Sequence, residues 1–132
     1  MFSFLSQFES LAMLLLRVVL GFTMMIHGLP KVKNPELWAK NMGFSKHMGW
    51  FVSICEFGGG LLTVIGLWTQ LAAVAICTVM GGALYHHISV WEHPFTAKNG
   101  ESWEFAFLIF CVAFLFATAG AGMYSLDYSM MY

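Results

Sequence analysis

The stretch MGWFVSICEFGGGLLTVIGLWTQLAAVAICTVMGGALYHHISV, residues 48–90, decides the fold. It contains two apolar runs, Gly49 to Leu67 and Leu71 to Val90, joined only by Trp68, Thr69 and Gln70. At about 1.5 Å per residue, each run is long enough as a helix to cross a hydrocarbon core of about 30 Å. The first carries Glu56 as its one charged residue, and the second carries only His86 and His87 as ionisable groups. So short a link forces the two into an antiparallel helical hairpin, with Trp68 where an interfacial aromatic belt would sit.

Working outward, Leu11 to Ile26 is a third apolar run, interrupted by Arg17 and followed by HGLPK, where Gly28 and Pro30 act as helix breakers. Residues 31–47 hold four lysines and Trp38 and read as the main loop, with a short interfacial turn. Beyond a polar connection from Trp91 to Ser102, a fourth run, Trp103 to Gly120, opens at Glu104 and ends in GAGMYSLDY. The expected fold is all-α, a single membrane domain over residues 1–132. Its four transmembrane helices would form a bundle, near residues 8–29, 48–67, 70–90 and 103–120. Both polar loops then share one membrane face, here the loop face, opposite the termini and the Trp68 turn.

Composition agrees: 59% of the residues are hydrophobic and 10% charged, against about 25% charged in soluble domains, and mean hydropathy is +0.73. A chain this small has no outer layer to cover four apolar helices, so the lipid bilayer is their expected partner. A net charge of -1 with no basic run excludes nucleic-acid binding. Cys55, Cys77 and Cys111 all fall in apolar runs and read as small core residues. No haem ligand pair, flavin fingerprint or zinc-type His/Cys spacing is present, so no intrinsic haem, flavin or metal is expected. The N-terminus lacks the basic region of a signal peptide, and the first run reads as a retained helix. Lys31, Lys33, Lys40, Lys46 and Lys98 all lie on the loop face, which the positive-inside rule places in the cytoplasm.

Helical rotation of about 100° per residue groups the polar and small residues into stripes. Arg17, Gly21, Gly28 and Lys31 share one, and Ser53, Glu56, Gly60 and Thr63 another. Thr78, Gly82, Tyr85 and Ser89 form a third, with His86 at its edge and His87 nearly opposite. Glu104, Cys111 and Thr118 align on the last helix. Each stripe is expected to face the bundle interior. A lone charge at mid-bilayer costs about 3 kcal/mol, so Arg17 and Glu56 are expected to pair. They would lie with His86, Tyr85 and Glu104 in one interior cavity open to the loop face. Such a pair either fixes helix register or, with Lys31 nearby, handles protons or a ligand. His27, His47 and His93 sit at boundaries or in loops and read as ordinary boundary residues.

The elements GFTMMIHGLPK, ICEFGGGLLTVIGLWTQLAA, the histidine closing the third run, the glutamate opening the fourth and GAGMYSLD together resemble the DoxX family of small four-helix membrane proteins. The resemblance covers nearly the whole chain. It implies a multi-pass protein of the bacterial or archaeal cytoplasmic (inner) membrane, linked to thiosulfate:quinone or thiol oxidoreduction. The family positions it carries onto this chain are Arg17, His27, Gly28, Lys31, Glu56, Gly59, Gly60, Glu104, Gly120, Gly122, Tyr124, Ser125 and Asp127. The chain departs from the pattern at Met123, where a basic residue is common, and in its doubled His86-His87, which leaves the matching histidine open. The resulting expectation is a quinone-interacting membrane subunit of a redox complex, fed with electrons by a membrane or peripheral redox protein partner. Its binding or proton-handling residues would be Arg17, Lys31, Glu56, Tyr85, His86 and Glu104, with His27, His87 and Asp127 in support. The alternative is a non-catalytic scaffold or assembly factor whose glycines at 58–60 and 81–82 pack against another membrane protein or a second copy of the chain.

Overall fold

The computed structural model describes residues 3–131, and all regular structure among them is helical. After a single turn at Ser3–Ser6 come α1 (Glu9–Lys33), α2 (Pro35–Asn41), α3 (Lys46–Ile65), α4 (Thr69–Val90), α5 (Glu104–Ala119) and α6 (Leu126–Met131). Gly28 and Pro30 do not end α1, which runs to Lys33. The break falls at Asn34, where Pro35 opens α2 at a position that needs no backbone donor. Ser45 caps α3, its hydroxyl accepting from the Met48 N–H at 3.3 Å. The hairpin turn forms as expected, with Gly66 and Trp68 both left-handed at φ 72° and 48°.

By length and composition, α1, α3 and α4 could each cross a membrane. The fourth apolar run is also a helix, but its 16 residues extend about 24 Å, short of a hydrocarbon core of about 30 Å.

α1 and α3 pack antiparallel around a glycine crossing. A Cβ on Gly60 would stand 2.7 Å from the Gly21 carbonyl oxygen, and one on Gly21 would stand 2.6 Å from that of Gly60. Each glycine faces the other helix's backbone, with Val64 and Met24 packed alongside, which lets the two helices approach closely. The core continues through Leu20 and Met24 of α1, Ala73, Ile76 and Val79 of α4, and Ile109, Ala113 and Phe116 of α5.

The stripe expectation holds for two helices and fails for two. Arg17, Gly21 and Gly28 are buried on α1, as are Ser53, Glu56, Gly60 and Thr63 on α3. On α4, however, Thr78, Gly82, Tyr85 and Ser89 are exposed, and so are Glu104, Cys111 and Thr118 on α5. The threonines need no interior partner, because Thr78 donates to the Val74 carbonyl at 2.9 Å and Thr118 to the Phe114 carbonyl at 3.0 Å. A hydroxyl satisfied by its own helix can face outward cheaply, and the apolar faces of α4 and α5 take the core instead. Of the cysteines, Cys55 and Cys77 are half-buried against the core, while Cys111 is exposed.

Candidate functional site

Two polar centres occupy opposite ends of the helices. At the loop end, α3 widens into a π-helical turn at Ile54–Gly58, a local distortion often found at functional positions. It presents Glu56 inward, 1% exposed. Gly28 lets α1 lie directly on this turn, since a Cβ there would come within 2.7 Å of the Phe57 nitrogen and 3.1 Å of the Glu56 Cβ. Because α1 continues past Pro30, Lys31 reaches back over the same turn, and its Nζ donates to Glu56 Oε1 at 2.5 Å. The other carboxylate oxygen, Oε2, is buried without a partner.

Lys31 links this carboxylate to the loop face. Its Nζ lies 4.9 Å from the centre of the Trp38 ring. From Trp38 a wall of rings continues to Phe44 at 5.9 Å and on to His86 at 4.9 Å. His86 meets Tyr85 edge-on at 5.5 Å and Trp91 at 5.6 Å. The doubled histidines are thereby told apart. His86 turns toward Phe44 with its Nδ1 2.9 Å from the Gly82 carbonyl, whereas His87 packs on Trp91 and His93. The chemistry on offer is a buried carboxylate paired with a half-buried lysine, one carboxylate oxygen lacking a hydrogen-bond partner, beside a row of aromatic and imidazole rings tilted or edge-on to one another.

Arg17 is not part of this centre. The expected Arg17–Glu56 pair does not form, because Arg17 lies at the other end of the bundle, against Gly66. Gly66, just past the end of α3, is ten residues beyond Glu56, about 15 Å of helix. The Arg17 Nη1 donates to the Ala121 carbonyl at 2.7 Å and Nη2 to the Tyr124 carbonyl at 2.6 Å. Asp127 completes the anchorage: its carboxylate accepts from the Trp68 and Thr69 N–H groups at 2.6 and 2.8 Å, and its own N–H donates to the Gly66 carbonyl at 2.8 Å. Gly66 is confined by more than its positive φ, since a Cβ there would meet Arg17 Nη1 at 2.7 Å. GAGMYSLD is thus a latch that fastens the tail across the N-terminal half of α1, the end of α3 and the start of α4.

The remaining expected residues lie at the margins. Glu104 is exposed in the first turn of α5, and His27 is exposed with its ring 5.2 Å from Phe105. Tyr85 is 62% exposed. The two best-formed open grooves among the described residues do not unite them in the expected single interior cavity: one of about 480 Å³ is lined by residues such as Pro35, Lys40 and Trp50, and one of about 550 Å³ by Thr69, Gly120 and Asp127. Neither is lined by Glu56, Lys31 or His86. Sequence reasoning passed over Trp38 and Phe44, whose joint position between Lys31 and His86 depends on how α2 folds back.

The DoxX family model matches residues 12–89, from α1 almost to the end of α4. A protein of Bacillus subtilis (strain 168) named "Putative oxidoreductase CatD" is 29% identical over 118 residues, covering 86% of this chain and 83% of that protein. No solved structure matches the chain. With more than half of its length matched by the family model, including the segments that carry Lys31 and Glu56, the chain belongs to the DoxX family.

Proposed function

We propose that the chain is a quinone-interacting subunit of a membrane oxidoreductase, multi-pass in the cytoplasmic membrane with α5 as a fourth crossing. The observation that carries this reading is Glu56, buried with one oxygen held by Lys31 and the other without a partner. An orphaned buried carboxylate oxygen is costly unless something else occupies its free side or protonates it. The oxidoreductase name of the Bacillus relative supports the reaction class.

The residues fit a quinone. Its carbonyl needs a hydrogen-bond donor, and Lys31 keeps donors beyond the one spent on Glu56. Its ring needs aromatic neighbours, and Trp38, Phe44 and His86, tilted or edge-on to one another, offer ring faces and edges for it. A bound quinone takes up two electrons and two protons per reduction. Glu56 holds and passes a proton at its free oxygen, Lys31 stabilises the carboxylate left behind, and the ring wall excludes water. Electrons come from a partner, with a thiol or thiosulfate as donor class.

The test is Glu56→Gln in the protein isolated from its native membrane with the redox partner it carries, measuring reduction of a soluble quinone analogue. A fall of about 100-fold or more, the usual scale for loss of a general acid-base group, with helix content unchanged, supports the proposal. Unaltered turnover refutes it and favours the scaffold reading. One observation speaks for that second reading: the α4 stripe through Thr78 and Gly82 is exposed, with nothing within 4 Å of where a Gly82 Cβ would stand, so a foreign helix could lie close.

A further inference from the structure

We propose that His87, His93 and Glu101 form a binding site for one divalent transition-metal ion of the zinc class. The chain end of α4 builds it. In the terminal π-helical turn His86–Val90, the Trp91 N–H donates to the His86 carbonyl and the His93 N–H to the His87 carbonyl, each at 2.8 Å. The wide turn folds the chain back so that His93 faces His87, with their Nδ1 atoms 2.8 Å apart. Glu101 returns from the following loop and places Oε2 3.8 Å from His93 Nδ1. One ligand atom from each of the three lies within 4.8 Å of the others. No spacing rule would find this set, because the pairing depends on the π-helical turn.

Two like nitrogens at 2.8 Å share one proton or one cation. With both rings neutral and protonated on Nε2, two lone pairs converge, and a metal bonded to each at about 2.0–2.1 Å needs them about 3.3 Å apart. A small ring rotation supplies that. Two imidazoles and one carboxylate are the donor set of zinc and its neighbours, and the carboxylate leaves the bound ion with a single net positive charge. Trp91 packs on both rings, 5.1 Å from His87 and 5.7 Å from His93, and restricts their movement. Glu101, exposed, closes the site from the solvent side. The bound ion would clip the loop after α4 onto the end of the ring wall. It rests on no part of the quinone reading.

The experiment uses the whole chain in detergent with Co²⁺ as a coloured probe. Expected are a visible absorption band saturating at one ion per chain, quenching of tryptophan emission, and displacement by Zn²⁺. His93→Gln and Glu101→Gln should each weaken binding by about tenfold or more, the least expected from metal sites where even outer residues matter that much. His47→Gln, an exposed imidazole elsewhere, should leave binding unchanged. Circular dichroism checks each variant. Glu101→Gln, a substitution outside every helix, carries the test if a histidine variant loses helix content. No saturable band, equal weakening by His47→Gln and His93→Gln, or full affinity in Glu101→Gln would each overturn the proposal.

Discussion

Replacing Arg17 by alanine should release the tail without disturbing the loop-end centre. The side chain is 2% exposed and makes two hydrogen bonds to backbone carbonyls, while its Nε is buried without a partner. Two bonds from a charged donor contribute about 3–6 kcal/mol, and losing the orphaned Nε recovers about 1–3 kcal/mol. The net loss is about 0–5 kcal/mol with a midpoint near 2.5, equivalent at that midpoint to a rise of roughly 60-fold in the opening constant of the latch. Hydrogen exchange followed by mass spectrometry reads this as faster exchange confined to residues 120–129. The same protein tests where Arg17 belongs. Combined with Glu56→Gln, its effect on stability should be additive within about 0.5 kcal/mol, as for sites without shared partners. Unchanged tail exchange, or a coupling above about 1 kcal/mol between positions 17 and 56, would refute the separation of the two centres.

Other perturbations probe the crossing, the pair and the topology. Gly60→Ala drives a Cβ into backbone atoms of α1, at 2.7 Å from Gly21 O and 2.9 Å from Met25 N, and should destabilise the bundle by about 1–3 kcal/mol. Gly82→Ala, which meets nothing within 4 Å, should stay within about 0.5 kcal/mol of the parent in the same denaturation assay. Lys31→Met strands Glu56 and should cost up to about 3–5 kcal/mol in detergent unfolding, a loss that Glu56→Gln in the same chain partly restores. Cysteines introduced at Ser45 and Ser129 should react with an impermeant reagent from opposite sides of the membrane, Ser129 from outside, if the lysine-rich face is cytoplasmic.

The hairpin of α3 and α4 was legible because three residues between two long apolar runs admit few other geometries. Glu56 was legible as a buried charge because an apolar helix leaves one nowhere comfortable to go. Its partner was not. Lys31 was read at the edge of a loop, since Pro30 suggested that the helix had ended, whereas α1 carries it onward to Glu56. Arg17 was misassigned because its partners are the main-chain carbonyls of Ala121 and Tyr124, and a carbonyl has no letter in a sequence. The outward turn of Thr78 and Thr118 follows from hydroxyls satisfied by their own helices, which a rotation of about 100° per residue cannot register.

The tail latch has a bearing on how the protein is made. Arg17 leaves the ribosome long before its partners, because the carbonyls that satisfy it come 104 and 107 residues later. Until they arrive, an arginine sits in an apolar helix without its native partners, at an insertion cost of about 3 kcal/mol. α1 must therefore enter the bilayer on the strength of its apolar neighbours, or wait at its edge. Its final placement is settled only when GAGMYSLD is delivered, so a ribosome stalled before Ala121 would leave α1, α3, α4 and α5 made yet unfastened.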